Sequence, residues 1–223
     1  MSALAAVVFD LDGTLIDSAP DIHSAVNRLL AAEGRVLLSL DAAVGMIGDG
    51  AAKLVERAFA ATGAAPASAD LPDLTRRFLA YYQTDAVRLT RLYDGARETL
   101  AQLRGRDLAL GICTNKPEAA THEILESLRL APLFDAVVGG DSLDGIRKPD
   151  PRALLAVLER LHVAPAAAIM VGDNANDVQS ARAVGMPVVV RAGGYSRTPA
   201  AELGADAVFD DFGRLPDILS GLR

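Results

Sequence analysis

Two carboxylates two positions apart, Asp10 and Asp12, close an apolar run of strand length that begins at Ala6, and Gly13, Thr14 and Ser18 follow them. If the extended backbone continues to Asp12, its period of two sets both acids on one side while Leu11 turns away. Anions held that close need a counter-charge, and a divalent cation with oxygen ligands is the usual solution, so magnesium is expected. Three further stretches carry groups suited to the same task. In Gly111-Ile112-Cys113-Thr114-Asn115-Lys116-Pro117 an apolar run stops and Pro117 suits a helix start. The Thr114 hydroxyl and the N–H groups near Asn115 then form an anion site, unless Thr114 merely caps the helix. Lys148 stands between Arg147 and Pro149, with Pro151 beginning a helix, a rigid setting that aims a cation. In Val171-Gly172-Asp173-Asn174-Ala175-Asn176-Asp177 an apolar run empties into Asp173, and Asp177 lies one helical turn on, so both can face one ion.

These groups need elements to hold them. From Pro20 the spacing is helical, with Ile22, Val26, Leu29 and Leu30 on one face. A short helix is expected over 39–47, a third from Asp49-Gly50 to Thr62, and a fourth capped by Asp70 with Leu74, Phe78, Leu79 and Tyr82 on its apolar side. No second strand is expected before 107–113, an interval far longer than the dozen or so residues a parallel crossover needs. The chain therefore divides into a core, 1–17 with 94–223, and an all-helical insertion, 18–93. Beyond Asp94-Gly95, strands at 108–113, 136–139, 168–172, 188–190 and 207–209 alternate with helices. That rhythm predicts an α/β fold, a Rossmann-like parallel sheet covered on both faces, with ligands at the carboxyl ends of its strands.

Composition narrows the function. The 223 residues are 51% hydrophobic, carry a formal net charge of -7 and show no basic cluster, which argues against nucleic acid and for a small-molecule partner. No apolar run approaches the roughly 20 residues of a membrane helix. Residues at the N-terminus run straight into the first strand, so no secretory leader is expected. The lone cysteine, Cys113, fits a reducing cytoplasm and is expected to point into the core. The stretch 45–50 is glycine-rich but lacks nucleotide-binding spacing, and His122-Glu123 falls short of a zinc motif because position 126 is Glu126.

Asp-x-Asp-Gly-Thr after an apolar strand, with the threonine, lysine and paired-acid stretches following in order, resembles the haloacid dehalogenase superfamily and, within it, the phosphatases. Residues 10–21 and Ile47-Gly48-Asp49-Gly50 look most like its phosphoglycolate phosphatase branch. The resemblance implies Asp10 as nucleophile, Asp12 as general acid and base, and Lys148 as the cation offsetting nucleophile and phosphate. It implies that Thr114, Asn115 and Lys148 hold phosphoryl oxygens. The metal would be ligated by Asp10, the backbone carbonyl of Asp12, and Asp173, with Asp177 orienting water or Lys148. It also places the first strand beside the one ending at Asp173. The insertion would be a cap whose Gly48, Asp49 and Gly50 face the substrate. Lys53 and Arg57 are either carboxylate-binding groups or solvated helix charges. The family usually has serine where this chain has Asn174.

The activity so implied is magnesium-dependent hydrolysis of a small phosphorylated metabolite through an aspartyl phosphate, with 2-phosphoglycolate the first substrate to expect, in a cytoplasmic monomer or homodimer. A sugar-phosphate phosphatase or phosphomutase of the same family is the alternative. A phospho-aspartate receiver is disfavoured, because its acceptor would sit on a later strand and it has no use for a helical insertion.

Overall fold

The first strand, β1 (Ala6–Phe9), is buried on both sides: Val7 and Phe9 join one hydrophobic cluster, Ala6 and Val8 another. Period-two alternation thus serves two cores, which requires helices on both faces of the sheet. The computed structural model describes residues 3–85 and 87–222; residues 1, 2, 86 and 223, which fall within the expected core and insertion, lie outside the described residues.

The elements after β1 are β2 (Ile16–Asp17), α1 (Ala19–Ala32), α2 (Leu40–Val44), α3 (Ala51–Ala61), α4 (Leu71–Asp85), β3 (Arg91–Leu92) and α5 (Ala96–Arg104). Then come β4 (Ala109–Cys113), α6 (Glu118–Ser127), β5 (Ala136–Val138), α7 (Pro151–Leu161), β6 (Ala168–Gly172), α8 (Ala175–Ala183), β7 (Val188–Arg191), β8 (Ala207–Phe209) and α9 (Leu215–Gly221). Six strands form one parallel sheet in the order β5-β4-β1-β6-β7-β8. The chain runs outward from β1 through β4 to β5, then crosses back to β6. The strand order therefore reverses between β1 and β6, where the diverging connections of such sheets leave a crevice at the carboxyl ends. Phe9 pairs with Ile112 on one side and Val171 on the other, so the loops after all three strands open into that crevice.

Two expectations about the start of the chain are corrected. The strand stops at Phe9 and does not reach Asp12. The Leu11 carbonyl accepts from the N–H groups of Thr14, Leu15 and Ile16, a turn that Gly13 completes at φ 81, so Asp10 and Asp12 do not share a strand face. A further pair of strands also precedes residue 107: Ile16 and Asp17 pair antiparallel with Leu92 and Arg91. Strands of two residues are too short to show a period, which is why pattern reading passes over them.

This ribbon marks where the chain leaves and re-enters the region of the sheet. Between its strands, α1 to α4 bury Ile22, Leu29, Leu30, Val55, Phe59 and Phe78 in a cluster of their own, apart from the two clusters on the sheet. Asp21 ties the first of these helices to the returning segment. Its carboxylate, 1% exposed, accepts from the N–H groups of Leu89 and Thr90 and from the Thr90 hydroxyl at 2.7–3.0 Å. Among the described residues no helix is long and apolar enough to cross a membrane.

Candidate active site

Asp10 is the first residue past β1, its N–H still held by the Val171 carbonyl at 2.8 Å. That bond carries the sheet's register one residue beyond the strand and aims the carboxylate into the crevice. Asp173 follows β6 in the same way. Its Oδ2 accepts from the Tyr195 N–H at 2.6 Å and its Oδ1 from the Thr14 hydroxyl at 3.2 Å. Asp177 completes the group. It sits at the third position of α8 and its Oδ2 accepts from the N–H groups of Asp173 and Asn174, while Asn174 caps the same helix. Gly172 makes this approach possible, since a Cβ there would lie 2.2 Å from the Asp177 carboxyl carbon. Asp10, Asp173 and Asp177 each offer an oxygen within 4.8 Å of the others, and all three are buried.

One cation stands among these three acids. The Lys148 ammonium, 1% exposed, lies 3.0 Å from Asp10 Oδ1 and 2.5 Å from Asp177 Oδ1. Burial disfavours its charge, but Asp10 and Asp177 outweigh that penalty and raise its pKa above the ordinary lysine value. The acids remain under-compensated. Burial pushes the Asp10 carboxyl up to about 6 against the pull of Lys148. Burial, then Asp177 and Asp10, raise Asp173 well above the usual carboxylate range.

The Asp12 carboxylate faces another way. It accepts from the Ser18 hydroxyl at 2.5 Å and takes both oxygens to Lys116 Nζ at 2.9 and 3.0 Å. The Thr114 hydroxyl accepts from the Lys116 N–H at 3.3 Å in a turn ahead of α6, whose N-cap is Pro117 without a side-chain cap, so Thr114 does not cap the helix and keeps its own proton to donate. Asn115 bridges two segments, donating from Nδ2 to the carbonyls of Gly48 and Lys148, both at 2.9 Å. Cys113 is buried and its thiol is pushed up to about 12 by burial, so it packs without taking part in chemistry.

Asp10, Asp12, Thr114, Asn115 and Lys116 form the floor of a cleft, and Ile22, Ile47, Gly48, Gly50, Leu54, Phe78 and Tyr82 form its roof. Gly48 and Gly50 line the cleft. Asp49 does not: its carboxylate is taken by Asn176 at 2.6 Å and Arg57 at 2.5 Å, so it braces the loop. Of its two expected roles Lys53 takes that of a solvated helix charge, because it faces solvent on α3 and pairs with Glu56 one helical turn away at 2.8 Å. Arg57 is likewise occupied, by Asp49 and the Met46 carbonyl.

Sequence reading passed over Thr14, Lys116 and Tyr195. The first two lie inside stretches already singled out, beside Asp12 and Asn115, and a polar residue adjoining such a turn is the available signal. Tyr195 had none. Its N–H holds Asp173 while its hydroxyl accepts from the N–H groups of Ser18 and Ala19 and donates to Asp17, tying the acid to the ribbon.

Residues 4–185 match a family model described as a haloacid dehalogenase-like hydrolase. A protein of Rhodospirillum rubrum named phosphoglycolate phosphatase is 49% identical over 220 residues, covering 96% of this chain and 90% of its own length. One of Cereibacter sphaeroides with the same name is 43% identical over 216 residues, covering 97% and 98%. A crystal structure described as a predicted phosphoglycolate phosphatase from Haemophilus somnus superposes with a TM-score of 0.91 at 30% identity, over 98% of this chain and 99% of that one.

Proposed function

Because this chain belongs to the haloacid dehalogenase-like hydrolases, we propose that it hydrolyses a small phosphate monoester, 2-phosphoglycolate first, through a phosphorylated Asp10. The observation that carries this reading is the crowding of three buried carboxylates around one lysine at the sheet's reversal point. Relatives named for phosphoglycolate support the substrate.

The acids fit a dication. Three carboxylates against one ammonium leave an excess of two negative charges, and Asp10 Oδ1 is buried with no partner but the Lys148 ammonium at 3.0 Å. All-oxygen donors select a hard ion such as magnesium. Asp10, the Asp12 carbonyl and Asp173 would hold it. Asp177, its oxygens occupied by Lys148 and two N–H groups, acts by fixing Lys148. When bound, the ion supplies charge neutralisation between nucleophile and phosphate.

The residues of the chain then divide the work. Phosphate monoesters hydrolyse so slowly unaided that enzymes accelerate them by up to about 10²¹-fold, so alignment and neutralisation must both be extensive. Asp10 attacks phosphorus in line, replacing one hard displacement by two easier ones. Lys148, the Thr114 hydroxyl and the N–H groups near Asn115 meet the equatorial oxygens, where transition-state charge resides. Asp12 delivers a proton to the departing alkoxide and later removes one from the attacking water. The apolar roof excludes bulk water, which strengthens these interactions. The lone Cys113 would suit a reducing, cytoplasmic setting.

Released phosphate, measured with magnesium across a panel of phosphorylated metabolites, tests the reading. Turnover of 2-phosphoglycolate well above that of sugar phosphates is expected. A product that is an isomerised sugar phosphate in place of inorganic phosphate would instead show a mutase.

A second expectation concerns pH. With Asp10 at about 6 and Asp173 also raised, the folded metal-free protein holds protons more tightly than the unfolded chain does. That stabilisation is complete below the unfolded carboxylate range and is lost as pH rises through about 6. A dication competes with those protons at pH 5 and meets no such competition at pH 8. Saturating magnesium should therefore raise the calorimetric Tm by about 4 °C or more at pH 8 and far less at pH 5. Equal shifts at both values would show that these carboxylates do not hold the ion.

A further inference from the structure

The cleft contains one feature that the phosphoryl chemistry does not use. Among the described residues lining it, Lys116 alone is cationic, and its side chain is 3% exposed. An ammonium has three donors, and two of them serve the oxygens of Asp12. Its nitrogen also lies 4.7 Å from the centroid of the Tyr82 ring, which descends from α4 in the roof. Tyr82 is 3% exposed, and its hydroxyl is buried beside the Lys116 ammonium with no acceptor for its own proton. A buried donor left unpaired is costly, and a native structure keeps one where a ligand will satisfy it. Around the pair the wall is apolar, formed by Ile22, Leu54 and Phe78.

We propose that the remaining Lys116 donor and the Tyr82 hydroxyl together receive a carboxylate carried by the substrate close to its phosphoester. This rests on the phosphatase reading and specifies how one phosphate monoester is chosen over others. A carboxylate offers two acceptor oxygens, which matches one ammonium donor from the floor and one hydroxyl donor from the roof. Lys53 and Arg57 are spent on Glu56, Asp49 and the Met46 carbonyl, so they do not compete for the role. A substrate with a methyl or hydroxymethyl group in place of the carboxylate leaves the Tyr82 hydroxyl unsatisfied, and such a loss discriminates more strongly than poor packing does. Because the two donors come from opposite sides of the cleft, the carboxylate also joins roof to floor.

The test uses the magnesium-loaded full chain and two substrates that differ in one group: 2-phosphoglycolate, and ethyl phosphate, which has methyl where the other has carboxylate. The readout is the ratio of their kcat/KM values, which cancels any general damage to catalysis from loosening Asp12. The wild type is expected to prefer 2-phosphoglycolate strongly. Tyr82→Phe should lower the ratio by about tenfold and Lys116→Met by about a hundredfold, chiefly through KM for 2-phosphoglycolate. A ratio unchanged in both variants, or a wild type with no preference, overturns the inference while leaving the phosphatase reading intact. Hydrolysis of neither substrate by the wild type would bring down both.

Discussion

Asp10→Asn is expected to lower kcat for phosphate release by about 10⁴-fold or more while the protein stays folded. The amide is nearly isosteric with the carboxylate but has no anionic oxygen with which to attack phosphorus. Its effect on stability should run opposite to its effect on rate. Burial pushes the Asp10 carboxyl up to about 6, so above that pH the ionised group is an unfavourable resident of the metal-free site, beside Asp173 and Asp177. A neutral amide removes that repulsion, although Lys148 then loses one of its two anionic partners. The metal-free variant should therefore unfold at a denaturant midpoint close to or above that of the wild type at pH 8. Near-normal phosphate release from this variant would remove the covalent step. Loss of activity together with loss of the folded baseline would show that Asp10 supports the structure and would leave the nucleophile unassigned.

Lys148→Met should do the reverse, damaging both stability and rate. The ammonium is 1% exposed and lies between Asp10 and Asp177, whose side chains are themselves 7% and 0% exposed. Methionine fills similar space but leaves these carboxylates facing each other and Asp173 without compensation. Breaking a buried pair by removing one partner typically costs about 3–5 kcal/mol. Urea unfolding of the metal-free variant at pH 8 should show a loss of that order. At pH 5, below the value of about 6 at which Asp10 gives up its proton, the loss should shrink because one of the acids is then neutral. Magnesium should recover part of the stability at pH 8, since a dication supplies charge to the same oxygens. It should not recover the rate, which is expected to stay about 10³-fold down, because on the proposed mechanism a metal on Asp10 and Asp173 would not replace the Lys148 donor at the equatorial phosphoryl oxygens. A destabilisation independent of pH would mean that Lys148 contributes packing rather than charge.

The core of the fold was legible because its signals are local. Runs such as 168–172 and 188–190 are apolar, bounded by turn residues and separated by a helix, and each becomes a buried strand close to its expected limits, the second extending to Arg191. The acids stood out for a related reason: a carboxylate directly after a buried strand cannot be a packing residue. Asp10 and Asp173 could thus be singled out before any contact between them was known, and Lys148 by the prolines at 149 and 151 that stiffen its segment.

What the chain order could not supply is direction. Asp10 and Asp12 are neighbours in sequence, yet the turn closed on the Leu11 carbonyl sends one toward Lys148 and the other toward Lys116. Lys53 carries the charge expected of a substrate ligand, but the helix that bears it turns it to Glu56 and solvent. Tyr195 and Tyr82 stand in stretches with no motif, and only the folded chain brings one to Asp173 and the other over Lys116.

By itself, then, the sequence determined which residue types stand at the ends of which strands, because strand burial and strand termination are written in windows of a few residues. The tertiary structure decided which of those groups share a charge environment. Electrostatic coupling depends on separations of a few ångströms, and here those separations join residues as far apart in the chain as Thr14 and Asp173, or Asp12 and Lys116.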